Sequence, residues 1–275
     1  MEGKIKGGKT EVEGITSQFL SSLLISCPLA EGDSEIIPVN LHEKPYVGMT
    51  LNWLDKQRIK YVNNNMQSFS IPGNQSYHSF KQRVPGDFSS ATFPLCAGAI
   101  TDSEITLLGL DINDTQGDKR VIDVLKQMGA DIKVMDKGIV VKGTELEGIE
   151  IDLNDMPDSL PALSVVGCYA KGTTVIKNVA QARIKETDRI KAIAAELGKM
   201  NADIKEMKDG LIIKNSRLSG AKVNGYGDHR IVMALSLAGM IAHGKTEIST
   251  AEAVNITYPN YVDSMMNLGA NFIKE

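Results

Sequence analysis

The chain has 275 residues, 42% of them hydrophobic and 23% charged, with 34 acidic against 30 basic side chains and a formal net charge of −4. Length and composition suit a soluble globular protein of one large or two ordinary domains. The charge balance excludes the broad cationic field that nucleic acid or an anionic membrane would demand, so no partner of either kind is expected and an anionic ligand must be held by local basic groups.

The polar start MEGKIKGGKTEVEG lacks the apolar core of a secretory signal and the pattern of a transit peptide. The longest apolar runs, near residues 20–29 and 231–241, are too short to span a bilayer. A cytoplasmic location is therefore expected. Cys27, Cys96 and Cys168 stand far apart in apolar runs and read as buried thiols in a reducing compartment. No CxxC or Cys/His cluster suggests a zinc site.

Internal repetition is the strongest pattern. Similar helical runs open at Ser17, Asp87, Asp158 and Asp228, at spacings of 70, 71 and 70 residues. SQFLSSLLISCPLAEG, DFSSATFPLCAGAITD, DSLPALSVVGCYAKG and DHRIVMALSLAGMIAHG are all rich in small residues, which predicts four buried, closely packed helices. Short strands follow in SEIIPVNL, SEITLLGLD, TTVIKNVA and KTEIST. Second helices come next, with Val121, Val124, Leu125 and Met128 on one face, and later Ile190, Ile193, Ala194 and Leu197. They end in MGADI, MNADI or LGANF, where Gly or Asn supplies a left-handed cap. Hairpins are expected at Asp136-Lys137-Gly138 and Lys208-Asp209-Gly210.

The predicted fold is α/β, a series of β-α-β-α-β-β repeats of about 70 residues. The polar stretch NQSYHSFKQR after the first repeat reads as a crossover, giving domains 1–84 and 85–275. Three repeats can close around one another with helices inside and sheets outside. A single leading repeat cannot, which reads as the remainder of a second three-repeat domain whose beginning is missing.

Polar residues recur at the starts of the four buried helices, where free backbone N–H groups and the helix dipole favour anions. N-capping accounts for Ser17, Asp87, Asp158 and Asp228 as residue types. It does not account for His229 and Arg230, costly to bury, which should line a polar cleft. The densest charge cluster, Arg183 to Arg189 (RIKETDR), sits between a strand and a helix, where ligand-binding residues collect. Its plain reading is a solvated helix start with Asp188–Arg189 pairing. Its functional reading uses Arg189 and Arg230 to grip carboxylate and phosphate, Lys185 as a mobile point charge, and Glu186 and Asp158 for proton transfer. Thr16, Ser17 and Gln18 add neutral donors suited to a phosphate or hydroxyl.

GITSQFL, EKPYV, GDFSSA, MPDS, RIKETDR and GDHR, in this order along nearly the whole chain, resemble the 5-enolpyruvylshikimate-3-phosphate synthase family. The resemblance implies the inside-out α/β fold of the enolpyruvyl transferases, six β-α-β-α-β-β repeats in two domains that close on substrates without cofactor or metal. It further implies that Thr16, Ser17, Gln18, Tyr46, Asp158, Gln181 and Lys185 contact shikimate 3-phosphate. Asp158 would take the proton from the attacking 5-hydroxyl, with Lys185 beside the reacting centre, and Glu186 would help protonate the methylene carbon of phosphoenolpyruvate, giving a tetrahedral intermediate that expels phosphate. Arg189, Asp228, His229 and Arg230 would hold phosphoenolpyruvate, at the site where glyphosate competes in the family. Pro85, Glu43 and Ile256 depart from the pattern. They stand where many members carry Glu, a phosphate-side Ser and, in some, a Lys.

With part of one substrate wall absent, the expectation is little or no synthase activity from this chain alone. The whole enzyme is expected to be a monomer, and this chain either to self-associate or to need the absent portion. Two alternatives stand beside this reading: a non-catalytic fragment or split-gene product, and the sister UDP-N-acetylglucosamine enolpyruvyl transferase. The sister enzyme relies on a cysteine in a flexible loop, which none of the three here matches.

Overall fold

A computed structural model describes residues 3–274, which divide into two compact units. One runs through Val84 and includes Asn113–Gly117; the other comprises Pro85–Ile112 and the chain from Asp118 onwards.

The first unit is a complete repeat: β1 (Gly8–Glu13), α1 (Ser17–Ser26), β2 (Ser34–Val39), α2 (Lys44–Lys56), β3 (Val62–Asn64) and β4 (Ser68–Ile71). Its sheet has the order β1-β2-β4-β3, with β1 and β2 parallel and the other pairs antiparallel. Leu20, Leu24, Ile36, Val47, Leu51, Leu54, Phe69 and Ile71 form its core, the helices covering one face of the sheet.

The second unit carries α3 (Phe88–Ile100), β5 (Glu104–Leu107), α4 (Val121–Gln127), β6 (Asp131–Met135) and β7 (Gly138–Lys142). There follow β8 (Glu150–Asp152), α5 (Leu160–Tyr169), β9 (Thr173–Lys177), α6 (Arg189–Lys199), β10 (Asp203–Met207) and β11 (Gly210–Lys214). The chain closes with β12 (Lys222–Asn224), α7 (His229–Ile241), β13 (Glu247–Ser249) and α8 (Tyr261–Asn267). The sheets are β5-β7-β6, β10-β11-β9-β8 and β12-β13. In the last two, the strand before the buried helix pairs in parallel with the strand after it, as β1 and β2 do. Both predicted hairpins form, β6 with β7 and β10 with β11.

Helices α3, α5 and α7 pack on one another at the centre of one hydrophobic core. Small residues let them also approach the sheets closely: a Cβ at Gly98 would lie 2.5 Å from Val141 Cγ1. Cys96 and Cys168 are buried in α3 and α5, and burial pushes both thiols up in pKa; Cys27 is buried in the turn Cys27–Leu29.

Three expectations need correction. α1 is not a buried helix, because Phe19 and Ile25 on its outer face are half exposed. The second repeat has no opening strand, since Val84-Pro85-Gly86 puts a residue without an N–H where a ladder would have to form. Ser17 and Asp158 are not N-caps: Thr16 caps α1, accepting from Gln18 N, and Asp158 lies in the tight turn Pro157–Ser159 ahead of α5.

Candidate functional site

In the second unit, the starts of α5, α6 and α7 bring together residues 31 to 72 positions apart in sequence (Asp158 to Arg189, Asp158 to Arg230). Arg189, the first residue of α6, lies at the centre. Its Nε donates to Asp228 Oδ2 at 2.8 Å, its Nη1 to Asp158 Oδ1 at 2.7 Å, and its Nη2 to Glu186 Oε2 at 2.6 Å. Arg230 Nη2 reaches the other Asp158 oxygen at 3.0 Å. Exposure grades across the cluster: the side chains of Asp228 and Arg189 are at 0% and 1%, Arg230 and Asp158 at 11% and 16%, Glu186 at 50%. Asp228 and Arg189 form the buried end of the cluster, and Glu186 is the end that meets solvent.

Local sequence explains the arrangement. Asp228 caps α7, accepting from Arg230 N and Ile231 N, while its carboxylate also faces Arg189. Asp188 caps α6 through Lys191 N and pairs with Arg183, not with Arg189 as the plain reading had it. Arg183 also reaches Glu206 and the carbonyls of Met207 and Lys208, tying the loop before α6 to the β10–β11 hairpin. Arg183 is thus a fastener, and Arg189 is left to the acid cluster.

The electrostatics follow from these contacts. Burial raises the Asp158 carboxyl, but the charges of Arg230, Arg189 and Lys185 outweigh it and leave the pKa below the usual value. Burial holds Arg189 down, yet Asp158, Asp228 and Glu186 more than compensate and it stays charged. His229 is buried, with both ring nitrogens lacking a hydrogen-bond partner. Burial and then Arg230 lower its pKa, against the opposing pull of Asp228, so it is neutral at neutral pH. Gln181 sits in the turn Ala180–Ile184, which packs against the turn bearing Asp158; its Nε2 donates to Asn154 O and its Oε1 is buried without a partner. Ile256 is exposed at the end of the turn Ala251–Ile256.

In the first unit, Thr16, Ser17, Gln18 and Tyr46 gather where α1 and α2 begin. Ser17, Gln18 and Tyr46 line one end of a groove of about 470 Å³ whose other walls include Met49, Trp53, Tyr77 and Phe80. The carboxylate of Glu43, almost fully buried, accepts from Ser17 N at 3.2 Å and Ser17 Oγ at 2.9 Å. An anion from the chain itself therefore occupies the start of α1, which sequence reasoning did not foresee. Its trace was a carboxylate at a position where a serine is common. Among the described residues, no group of three or more His, Cys, Asp and Glu side chains is placed to hold a metal ion. No helix among them is long and apolar enough to cross a membrane.

The family model for EPSP synthase (3-phosphoshikimate 1-carboxyvinyltransferase) matches residues 2–265. The chain belongs to the EPSP synthase family. The 3-phosphoshikimate 1-carboxyvinyltransferase of Acetivibrio thermocellus is 53% identical over 98% of this chain and 64% of its own length. That of Methanocaldococcus jannaschii is 46% identical over 98% of this chain and 63% of its own. Among solved structures, EPSP synthase from Acinetobacter baumannii superposes with a TM-score of 0.82 at 28% identity, covering 98% of this chain and 64% of that one. The chain thus spans just under two thirds of the length of these EPSP synthases.

Proposed function

We propose that this chain serves 3-phosphoshikimate 1-carboxyvinyl transfer, the reaction named for its relatives, with shikimate 3-phosphate and phosphoenolpyruvate as substrates. The observation that carries the reading is the convergence of Asp158, Glu186 and Asp228 on Arg189, with Arg230 on the free oxygen of Asp158. Buried guanidiniums paired to carboxylates are suited to exchange those partners for the carboxylate and phosphate of phosphoenolpyruvate. Glu186, half exposed, is the partner that swings away at least cost.

Such an exchange also sets up the chemistry. While Arg189 and Arg230 face Asp158, its carboxylate is a weak base. When substrate anions draw the guanidiniums off, Asp158 regains basicity and takes the proton of the 5-hydroxyl as it attacks phosphoenolpyruvate. Glu186, freed from Arg189 and half exposed, takes up a proton from solvent and delivers it to the methylene carbon, and the carbon returns a proton when phosphate leaves. Lys185 balances charge near the reacting atoms, and Gln181 orients shikimate 3-phosphate from its fixed turn. Neutral His229 donates or accepts a hydrogen bond without adding charge. Thr16, Ser17, Gln18 and Tyr46 supply shikimate 3-phosphate contacts from the first unit, where Glu43 modulates a phosphate at Ser17.

Arg189, Arg230 and Lys185 are matched one for one by Asp158, Glu186 and Asp228. The two substrates together bring several negative charges, so turnover at family rates draws on cations from the rest of the family's length. The chain by itself should turn over little or not at all. We carry the cytoplasmic setting and a monomeric whole enzyme as part of the same reading. The sister UDP-N-acetylglucosamine reaction is disfavoured because Cys27, Cys96 and Cys168 are all buried.

The test is phosphate release from the two substrates, with the chain alone and with the stretch of a relative that it does not span. Turnover that rises on mixing, and that Asp158→Asn then lowers by about 10²–10⁴-fold, is the expected result. Turnover indifferent to Asp158→Asn would end the reading.

A further inference from the structure

Glu196 lies two turns beyond Arg189 on α6, and its carboxylate is wholly buried. A glutamate is almost never buried in this way unless its charge is matched. Here Lys199 Nζ donates to both oxygens at 2.9 and 2.7 Å, Asn224 N to Oε2 at 2.9 Å, and Tyr226 Oη to Oε1 at 2.8 Å. Two of these donors belong to the end of β12 and the short segment that leads from it to α7. That segment makes an unusual turn, with Tyr226 and Gly227 both left-handed at φ +55° and +65°. Glycine adopts this conformation freely and an aromatic residue does not, so something must hold Tyr226 there. Asn224 Oδ1 receives Tyr226 N, and Thr250 Oγ1 receives Gly227 N, while Glu196 holds the tyrosine ring by its far end.

The next residues are Asp228, His229 and Arg230. α6 therefore grips this segment twice, through Glu196 at Asn224 and Tyr226 and through Arg189 at Asp228. We propose that Glu196 is a positioning residue that, through Asn224 and Tyr226, aims Asp228, His229 and Arg230 and so sets affinity for phosphoenolpyruvate without touching it. The proposal rests on the functional reading above. A buried carboxylate whose cation, Lys199, stands half exposed is a poor way merely to stabilise a fold, since apolar residues of similar volume often do as well or better. It is a good way to fix one geometry, because each donor has a direction. Burial raises the Glu196 carboxyl, but Lys199, Asn224 and Tyr226 bring it below the usual value, and the hydroxyl of Tyr226 is raised by the same bond, so the pair keeps its protons in place across the neutral range.

Glu196→Gln and Tyr226→Phe test this in the chain as it stands. Calorimetry would measure affinity for phosphoenolpyruvate and for shikimate 3-phosphate, NMR the titration of the His229 ring, and a melt the stability of each variant. Misplacing a group by a fraction of an ångström is enough to weaken phosphoenolpyruvate about tenfold. The expected result is that loss, with shikimate 3-phosphate unchanged, the His229 titration moved back towards an ordinary histidine, and the double variant no worse than the poorer single one. If the two ligands weakened together in step with melting temperature, or if the His229 titration stayed put in both folded variants, the positioning role would be overturned. Should the unaltered chain bind neither ligand even with the stretch of a relative that it does not span added, the functional reading fails, while the His229 titration still decides whether Glu196 aims the segment.

Discussion

Helices α1 and α5 hold the same place in the first and third copies of one repeat, yet one is half bare and the other almost entirely enclosed. Eight residues after each motif start stand Ile25, Leu95 and Val166; the first is 50% exposed, the other two 0%. The charged groups divide the same way. At the start of α1, Glu43 meets neutral donors of Ser17, whereas around α5, α6 and α7 three carboxylates meet arginines at the edge of a shared core. Burying an ion requires surroundings that return what water supplied. A lone repeat can enclose one carboxylate against backbone and hydroxyl donors. Two repeats that share a core enclose a guanidinium.

The contrast can be broken most forcefully at its centre. Arg189→Met leaves Asp228 buried without its cation and should cost about 3–5 kcal/mol, read as a large fall in urea midpoint. A variant as stable as the parent would show that the cluster is not buried in solution. The packing half is tested next. Leu95→Ala should cost about 2–5 kcal/mol, because α3 is enclosed on every side. Ile25→Ala at the matching site should stay within about 0.5 kcal/mol. Similar losses would mean that α1 is covered in solution by something else.

Acid sensitivity gives the smallest effect and sharpens the electrostatic half. His229 has its folded pKa lowered from 6.5, so unfolding takes up a proton as pH falls through the ordinary histidine range, and stability declines from there towards the lower folded value. Asp158 and Glu196, also lowered in the fold, contribute stability that is present above their ordinary values of 3.8 and 4.5 and lost as pH falls through the folded values. Two limbs are expected in a plot of melting temperature against pH. His229→Gln should remove only the upper one.

Much of this was legible in the residues. The 70-residue period and the Asp136-Lys137-Gly138 and Lys208-Asp209-Gly210 turns announce the repeats because turns and caps depend on neighbours in sequence. RIKETDR and GDHR announce a charged site for the same reason. The exposure of α1 was hidden, since SQFLSSLLIS has the small-residue composition of its enclosed counterparts and burial depends on what packs outside it. Asp158 looked like a cap because nothing local distinguishes a capping aspartate from one turned towards a distant arginine. Glu196 was hidden most deeply: one more acid on the polar side of an amphipathic helix, its burial arises only when the segment 224–226 folds over it.

The clustering of Arg189, Arg230 and Lys185 with Asp158, Glu186 and Asp228 bears on how a ligand of the proposed kind would arrive. Opposite charges this close cancel beyond about a Debye length, ~8 Å at physiological salt, and the whole chain is net acidic. An approaching dianion feels no pull from afar. For the proposed dianionic ligand the net acidic chain is mildly repulsive beyond that distance, so capture should quicken slightly as salt screens it, and discrimination begins only at the moment of contact.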